Sequence, residues 1–109
     1  MKPLALFISV ASLLVLSPML RGEKSERHDV SIQNMKFSPD KLEIQSGDTV
    51  VWINKDDRDH TVTANDGSFK SDNLSRNETF EHKFKKAGTF AYSCSYHPRM
   101  KATIIVKGD

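Results

Sequence analysis

Disulfide chemistry is missing from this chain: its 109 residues contain a single cysteine, Cys94, so no internal bridge can staple the fold. No glycine-rich phosphate loop, internal repeat or low-complexity tract is present, which removes the nucleotide-cradling and solenoid classes. No apolar run reaches the ~20 residues that a membrane-spanning helix needs. An excess of one charge is also lacking once the first residues are set aside. The formal net charge of +2 comes from Lys2 and Arg21, and residues 23–109 carry 14 basic against 14 acidic side chains. The high isoelectric point is therefore no sign of nucleic-acid or anionic-membrane binding.

What remains is 38% hydrophobic and 28% charged, the composition of one small globular domain. Met1, Lys2 and Pro3 precede the thirteen-residue apolar run "LALFISVASLLVL", and "SPMLRG" follows it. This pattern predicts a secretory leader over residues 1–22. A cut after Ser17 would put Pro18 at the new terminus, so processing is expected near Gly22, with an uncleaved membrane anchor as the alternative. The domain then occupies residues 23–109, and its setting is periplasmic or extracellular.

Beyond the polar stretch "EKSERHD", expected to be frayed, apolar residues alternate with period two, the mark of half-buried strands. The segments are "VSIQNMKF", "KLEIQ", "DTVVWIN", "HTVTAN", "TFEHKF", "GTFAYSC" and "KATIIVK", separated by "SP", "SGD", "NDG" and "KAG". About seven short strands at this spacing predict an all-β fold, an antiparallel sandwich or barrel. Val50 and Trp52 share one parity and Val51 and Ile53 the other, which predicts a central strand covered on both faces. "SFKSDNLSRNE" is the long irregular connection, with room for a turn of helix.

In "GTFAYSC" the rings of Phe90 and Tyr92 fall on the same face as Cys94. If that face is the core, the thiol points inward at a strand end. Outside the reducing cytosol a lone thiol needs protection, by burial, an intermolecular disulfide, catalytic use or a metal. The neighbourhood favours the metal. Cys94, His97 and Met100 recur at every third residue of "CSYHPRM", with Pro98 stiffening the loop, and His60 opens another strand after "NKDDRD". A thiolate, two imidazoles and a thioether suit copper in both oxidation states. Methionine is not among the usual ligands of structural zinc.

These residues carry a family resemblance. The stretches "MKFSPDKLEIQSGDTVVWIN", "DHTVTANDGSFKS" and "AGTFAYSCSYHPRMKATIIV" are similar to the cupredoxins, the blue type 1 copper family of plastocyanin, amicyanin and pseudoazurin. The resemblance implies a Greek-key β-sandwich of about seven to eight strands holding one copper ion that cycles between Cu(I) and Cu(II). It also implies His60, Cys94 and His97 as strong ligands and Met100 as the weak axial one. The two-residue gaps on either side of His97 resemble amicyanin more than plastocyanin. Two positions depart from the family: Thr61 stands where Asn is common, its hydroxyl able to reach the segment around Ser95, and Ala102 stands where Gly is common.

The implied activity is one-electron transfer between transient redox partners, of the c-type cytochrome or oxidoreductase kind, by a monomer whose His97 meets the surface beside Pro98 and Tyr96. Copper delivery without redox turnover is the alternative. A catalytic cysteine paired with His97 fits less well, because the strand parity buries the sulfur. A multicopper enzyme is disfavoured, since only His28 and His82 remain after His60 and His97. The ligand set argues against a metal-free adhesion module. His28 reads as solvated, His82 as surface or near-core, Asp56 to Asp59 as a solvated loop, and Lys83, Lys85 and Lys86 as an exposed strand end. Asn73 and Asn77 match the N-glycosylation acceptor pattern.

Overall fold

The computed structural model describes residues 24–108, so the expected leader lies outside it. Eight strands follow in order: β1 (Arg27–Gln33), β2 (Lys36–Ser38), β3 (Lys41–Gln45), β4 (Thr49–Asn54), β5 (Thr63–Ala64), β6 (Thr79–Lys83), β7 (Gly88–Ser93) and β8 (Lys101–Lys107). They form two four-stranded sheets, β2-β1-β4-β6 and β3-β8-β7-β5. The expected β-sandwich is present, with two refinements. β1 pairs with β4, and β3 with β8, in parallel, so the sheets are mixed rather than purely antiparallel. The period-two pattern registers which face a residue takes and is blind to the direction of the neighbouring strand.

The segment expected as one strand, "VSIQNMKF", is a hairpin. Asn34 and Met35 take left-handed backbone angles (φ 56° and 61°) and turn the chain so that Ile32 lies opposite Phe37. Neither residue is glycine, so the alternation ran through the turn without a visible break. "EKSERHD" is less frayed than expected, because Arg27, His28 and Asp29 pair with Thr49, Val50 and Val51. "HTVTAN" yields only the short β5 and a single bridge at His60. No helix forms in "SFKSDNLSRNE"; its backbone instead bridges Leu74 to His60 and Lys70 to Thr63.

The core lies between the inward faces. Trp52 on the central strand β4 is fully buried; it packs edge-on against Tyr92 of the opposite sheet, ring centres 5.5 Å apart, and stacks on Phe69 at 5.8 Å. Its Nε1–H donates to the Tyr92 hydroxyl at 3.1 Å, tying one sheet to the other inside the core. Burial pushes the Tyr92 phenol well above its ordinary pKa, so the hydroxyl stays neutral.

The two ends of the sandwich differ. At one end, where β4 begins, the buried Asp48 carboxylate gathers the chain. Its Oδ1 accepts the Glu26 amide at 2.9 Å, and Oδ2 accepts the Gln45 amide at 3.0 Å and the His28 Nε2–H at 2.9 Å. Burial alone would raise its pKa, but these three donors outweigh it and hold the carboxyl below the usual range. His28 is thus half-buried and partnered rather than solvated. At the other end β4 stops at Asn54 and β7 delivers Cys94.

Candidate metal centre

Strand parity carries Tyr92 and Cys94 inward, and both are buried, the thiol completely. After Cys94 the chain makes two turns in succession. The His97 amide donates to the Cys94 carbonyl at 3.2 Å, and the Met100 amide to the His97 carbonyl at 2.9 Å. Pro98 occupies the second position of the second turn, where its fixed φ suits a type I geometry. The Cys94 amide closes the loop on the Met100 carbonyl at 3.2 Å. Two three-residue turns bring every third residue back to the same place, which is the physical content of the Cys94, His97, Met100 spacing.

His60 comes from the segment leading into β5, the neighbour of β7 in the same sheet. Its amide and carbonyl pair with Leu74 at 3.1 and 2.8 Å, fixing the backbone, and its side chain is fully buried. The Nδ1 atoms of His60 and His97 each lie 3.7 Å from the Cys94 Sγ, and the two rings are centred 5.3 Å apart. His97 is only half-buried. Met100 is 6% exposed, at the closing end of the loop.

The donors fit a metal. An ion with bonds of about 2.3 Å to sulfur and about 2.0 Å to nitrogen, at a trigonal angle, separates S from N by about 3.7 Å. The Thr61 amide donates to the same sulfur from 3.4 Å. Thr61 also does what was expected of its hydroxyl: Oγ1 accepts the Ser95 amide at 2.8 Å and lies 2.9 Å from the Ser95 hydroxyl. The cysteine loop is thereby braced by the residue next to His60.

Asp56 was read as part of a solvated loop, and its placement corrects that. Its carboxylate oxygens accept the Asn34 amide at 2.7 Å and the Met35 amide at 3.0 Å, and Oδ2 lies 2.8 Å from His60 Nε2. Burial pushes the Asp56 carboxyl up, and the Met35, His60 and Asn34 donors pull it below the ordinary value. The one sequence sign was the four-residue spacing to His60, which carries no weight without the loop geometry. Asp57, Arg58 and Asp59 are exposed, as expected. His82 is half-buried against Phe84, and burial lowers its pKa. Lys83, Lys85 and Lys86 are exposed.

A second group, Glu26, His28 and Asp48, sits at the opposite end. The Asp48 oxygens are already filled by three hydrogen bonds, and the group serves as a latch between β1 and the β3–β4 turn.

A two-sheet sandwich with a buried cysteine and two imidazoles at one end defines a class of small metal-binding β-proteins. The chain matches the family model of the cupredoxin-like domain over residues 5–106, and it belongs to the cupredoxin-like family. It is 32% identical over 84 residues to amicyanin-alpha of Methylorubrum extorquens, covering 72% of this chain and 71% of that protein. With amicyanin of Paracoccus denitrificans it shares 30% over 83 residues. That match covers 72% of this chain and 63% of the relative, so the chain spans less than two thirds of that relative's length. A solved structure of the Cu(I) form of an amicyanin variant superposes with a TM-score of 0.70 at 30% identity, over 74% of this chain and 82% of the other.

Proposed function

We propose that this chain is a small exported type 1 copper protein, carrying one electron at a time between redox partners. Its close ligands are His60, Cys94 and His97, with Met100 as the weak axial one. The observation that carries this reading is the pair of imidazole Nδ1 atoms at equal 3.7 Å distances from one buried thiol. Copper bound there supplies the Cu(II)/Cu(I) couple.

The chain supplies the rest. Cys94 offers a soft thiolate whose charge is eased by the Thr61 amide. His60 is closed off by the sandwich, whereas the half-buried His97 borders a shallow face shared with Met35, Tyr96, Pro98 and Arg99. That face suits brief docking of a redox protein of the c-type cytochrome or oxidoreductase kind, with the His97 ring as the electron's way in and out. The paired turns and the Thr61–Ser95 brace hold the ligand loop against rearrangement between oxidation states, which keeps the reorganisation cost of transfer small. With four donor positions taken by side chains, none is left for a substrate, so the role is that of a carrier and not an enzyme. Residues 1–22 act as the export leader, and the remainder works as a monomer in the periplasm or outside the cell.

Copper-loaded protein is expected to be intensely blue, from charge transfer across a short Cu(II)–thiolate bond. Cys94→Ser should abolish the colour, and His82→Ala should retain it. A colourless Cu(II) complex with Cys94 still reduced refutes the assignment. Release of Cu(I) to a chelator on reduction, in place of reversible cycling with copper retained, favours delivery over electron transfer.

A further inference from the structure

Of the acidic run after β4, only Asp56 turns inward, and it stands behind a candidate ligand. We propose that Asp56 is a positioning residue for the centre, fixing the tautomer and orientation of His60 through Nε2 and biasing the site towards its oxidised state. The proposal rests on the copper reading, and goes beyond it by assigning a role to a residue outside the four donors.

Geometry carries the argument. The Asp56 side chain is 13% exposed and its two oxygens hold three partners: the amides of Asn34 and Met35 and the outer nitrogen of His60. Its own amide donates to Asn54 Oδ1 at 2.9 Å. Asn54, fully buried, donates in turn to the carbonyls of Arg58 at 2.8 Å and Leu74 at 2.9 Å. Leu74 is the residue whose backbone bridges to His60. The carboxylate, the loop and the imidazole therefore form one closed frame, and the carboxylate cannot swing away without breaking its bonds to both amides of the left-handed Asn34–Met35 turn.

Two consequences follow from elementary chemistry. A carboxylate only accepts, so the 2.8 Å contact places the neutral ring's proton on Nε2 and leaves the Nδ1 lone pair facing Cys94. The ligand-ready tautomer is present before any ion arrives. An anion behind the ring also makes Nδ1 a better donor, and a more basic nitrogen favours Cu(II) over Cu(I). A backbone carbonyl in the same place would orient the ring without adding a full charge.

The test uses the full-length protein and two variants of Asp56 at one fixed neutral pH, with Asp57→Asn and Asp59→Asn as exposed controls of equal charge change. In the metal-free protein, long-range nitrogen–proton NMR of the His60 ring is expected to show a single Nε2–H form in the wild type. A mixture of tautomers is expected in Asp56→Ala. Asp56→Asn keeps an acceptor oxygen and should preserve the tautomer while losing the charge. In the copper-loaded proteins both variants should bind Cu(II) about tenfold more weakly, the lower end of the effect of removing such a partner, with Cu(I) affinity nearly unchanged. A tenfold change in that ratio corresponds to a potential about 59 mV higher. The Asp57 and Asp59 controls should move neither readout.

An unchanged tautomer in Asp56→Ala together with an unchanged potential in Asp56→Asn overturns the proposal while leaving the copper reading intact. If the wild type forms no blue complex, the copper reading fails, and the metal-free NMR still decides whether Asp56 positions His60. Should Asp56→Ala not fold, Asp56→Asn carries the test through the potential alone: a shift equal to that of the two controls refutes the role.

Discussion

Replacing Tyr92 by Phe takes a single oxygen out of the middle of the sandwich. That oxygen is the acceptor for Trp52 Nε1–H, and both residues are at most 1% exposed, so no water can take its place. The lost hydrogen bond is worth about 1 kcal/mol, and leaving the indole donor unpaired in the core brings the total to roughly 1–3 kcal/mol. The ring itself stays, so no cavity larger than the missing oxygen opens. For a domain of this size each kcal/mol moves the midpoint by roughly 4–8 °C, and the variant should melt about 5–20 °C lower. The assay is thermal unfolding followed by circular dichroism, on metal-free protein so that ligand binding does not mask the change. Trp52→Phe also loses ring area, so the bond is isolated by the double variant, with an expected coupling of about 1 kcal/mol. A Tyr92→Phe protein as stable as the wild type, or a coupling of zero, would show that the cross-sheet bond contributes nothing and that packing alone joins the sheets.

Met100→Gln should retain copper and lower the reduction potential, because an axial donor tunes the electronics while three stronger ligands hold the ion; complete loss of copper would make the thioether a principal ligand. Thr61→Val removes the acceptor for the Ser95 amide but keeps the backbone contact to the sulfur. It should cost about 1–2 kcal/mol in denaturant unfolding of the metal-free protein, and a variant with wild-type stability would mean that the brace is idle. Asp48 predicts the acid limb of stability: its folded pKa lies below the unfolded one, so its contribution is present above the ordinary carboxylate range and disappears as the pH falls through the folded value. Urea unfolding of metal-free protein stepped down from pH 5 should show stability falling with pH, more steeply in the wild type than in Asp48→Asn; parallel profiles for the two would remove Asp48 from the account.

Period-two alternation is a local consequence of strand geometry, and for that reason the sequence alone marked the strands, put Phe90, Tyr92 and Cys94 on one face, and identified β4 as central. The three-residue spacing of Cys94, His97 and Met100 is equally local. It is written in two turns and a proline, and needs no distant partner to be understood. Thr61 was legible through its position beside His60, once the family resemblance had supplied the register.

Everything that depends on which segments lie side by side was decided by the tertiary structure. His60 and Cys94 are 34 residues apart, and it is the pairing of β5 with β7 in one sheet that brings Nδ1 to within 3.7 Å of the sulfur. The parallel pairings of β1 with β4 and β3 with β8, the hairpin at Asn34 and Met35, and the latch of His28 on Asp48 leave no periodic trace, because alternation records a face and not a neighbour. Asp56 shows the difference most sharply. In sequence it is the first of three acidic residues in a polar loop, indistinguishable from Asp57 and Asp59. In the fold the Asn54 side chain and the Asn34–Met35 turn close around it, and the same carboxylate that solvent would have claimed is held against the ring of His60.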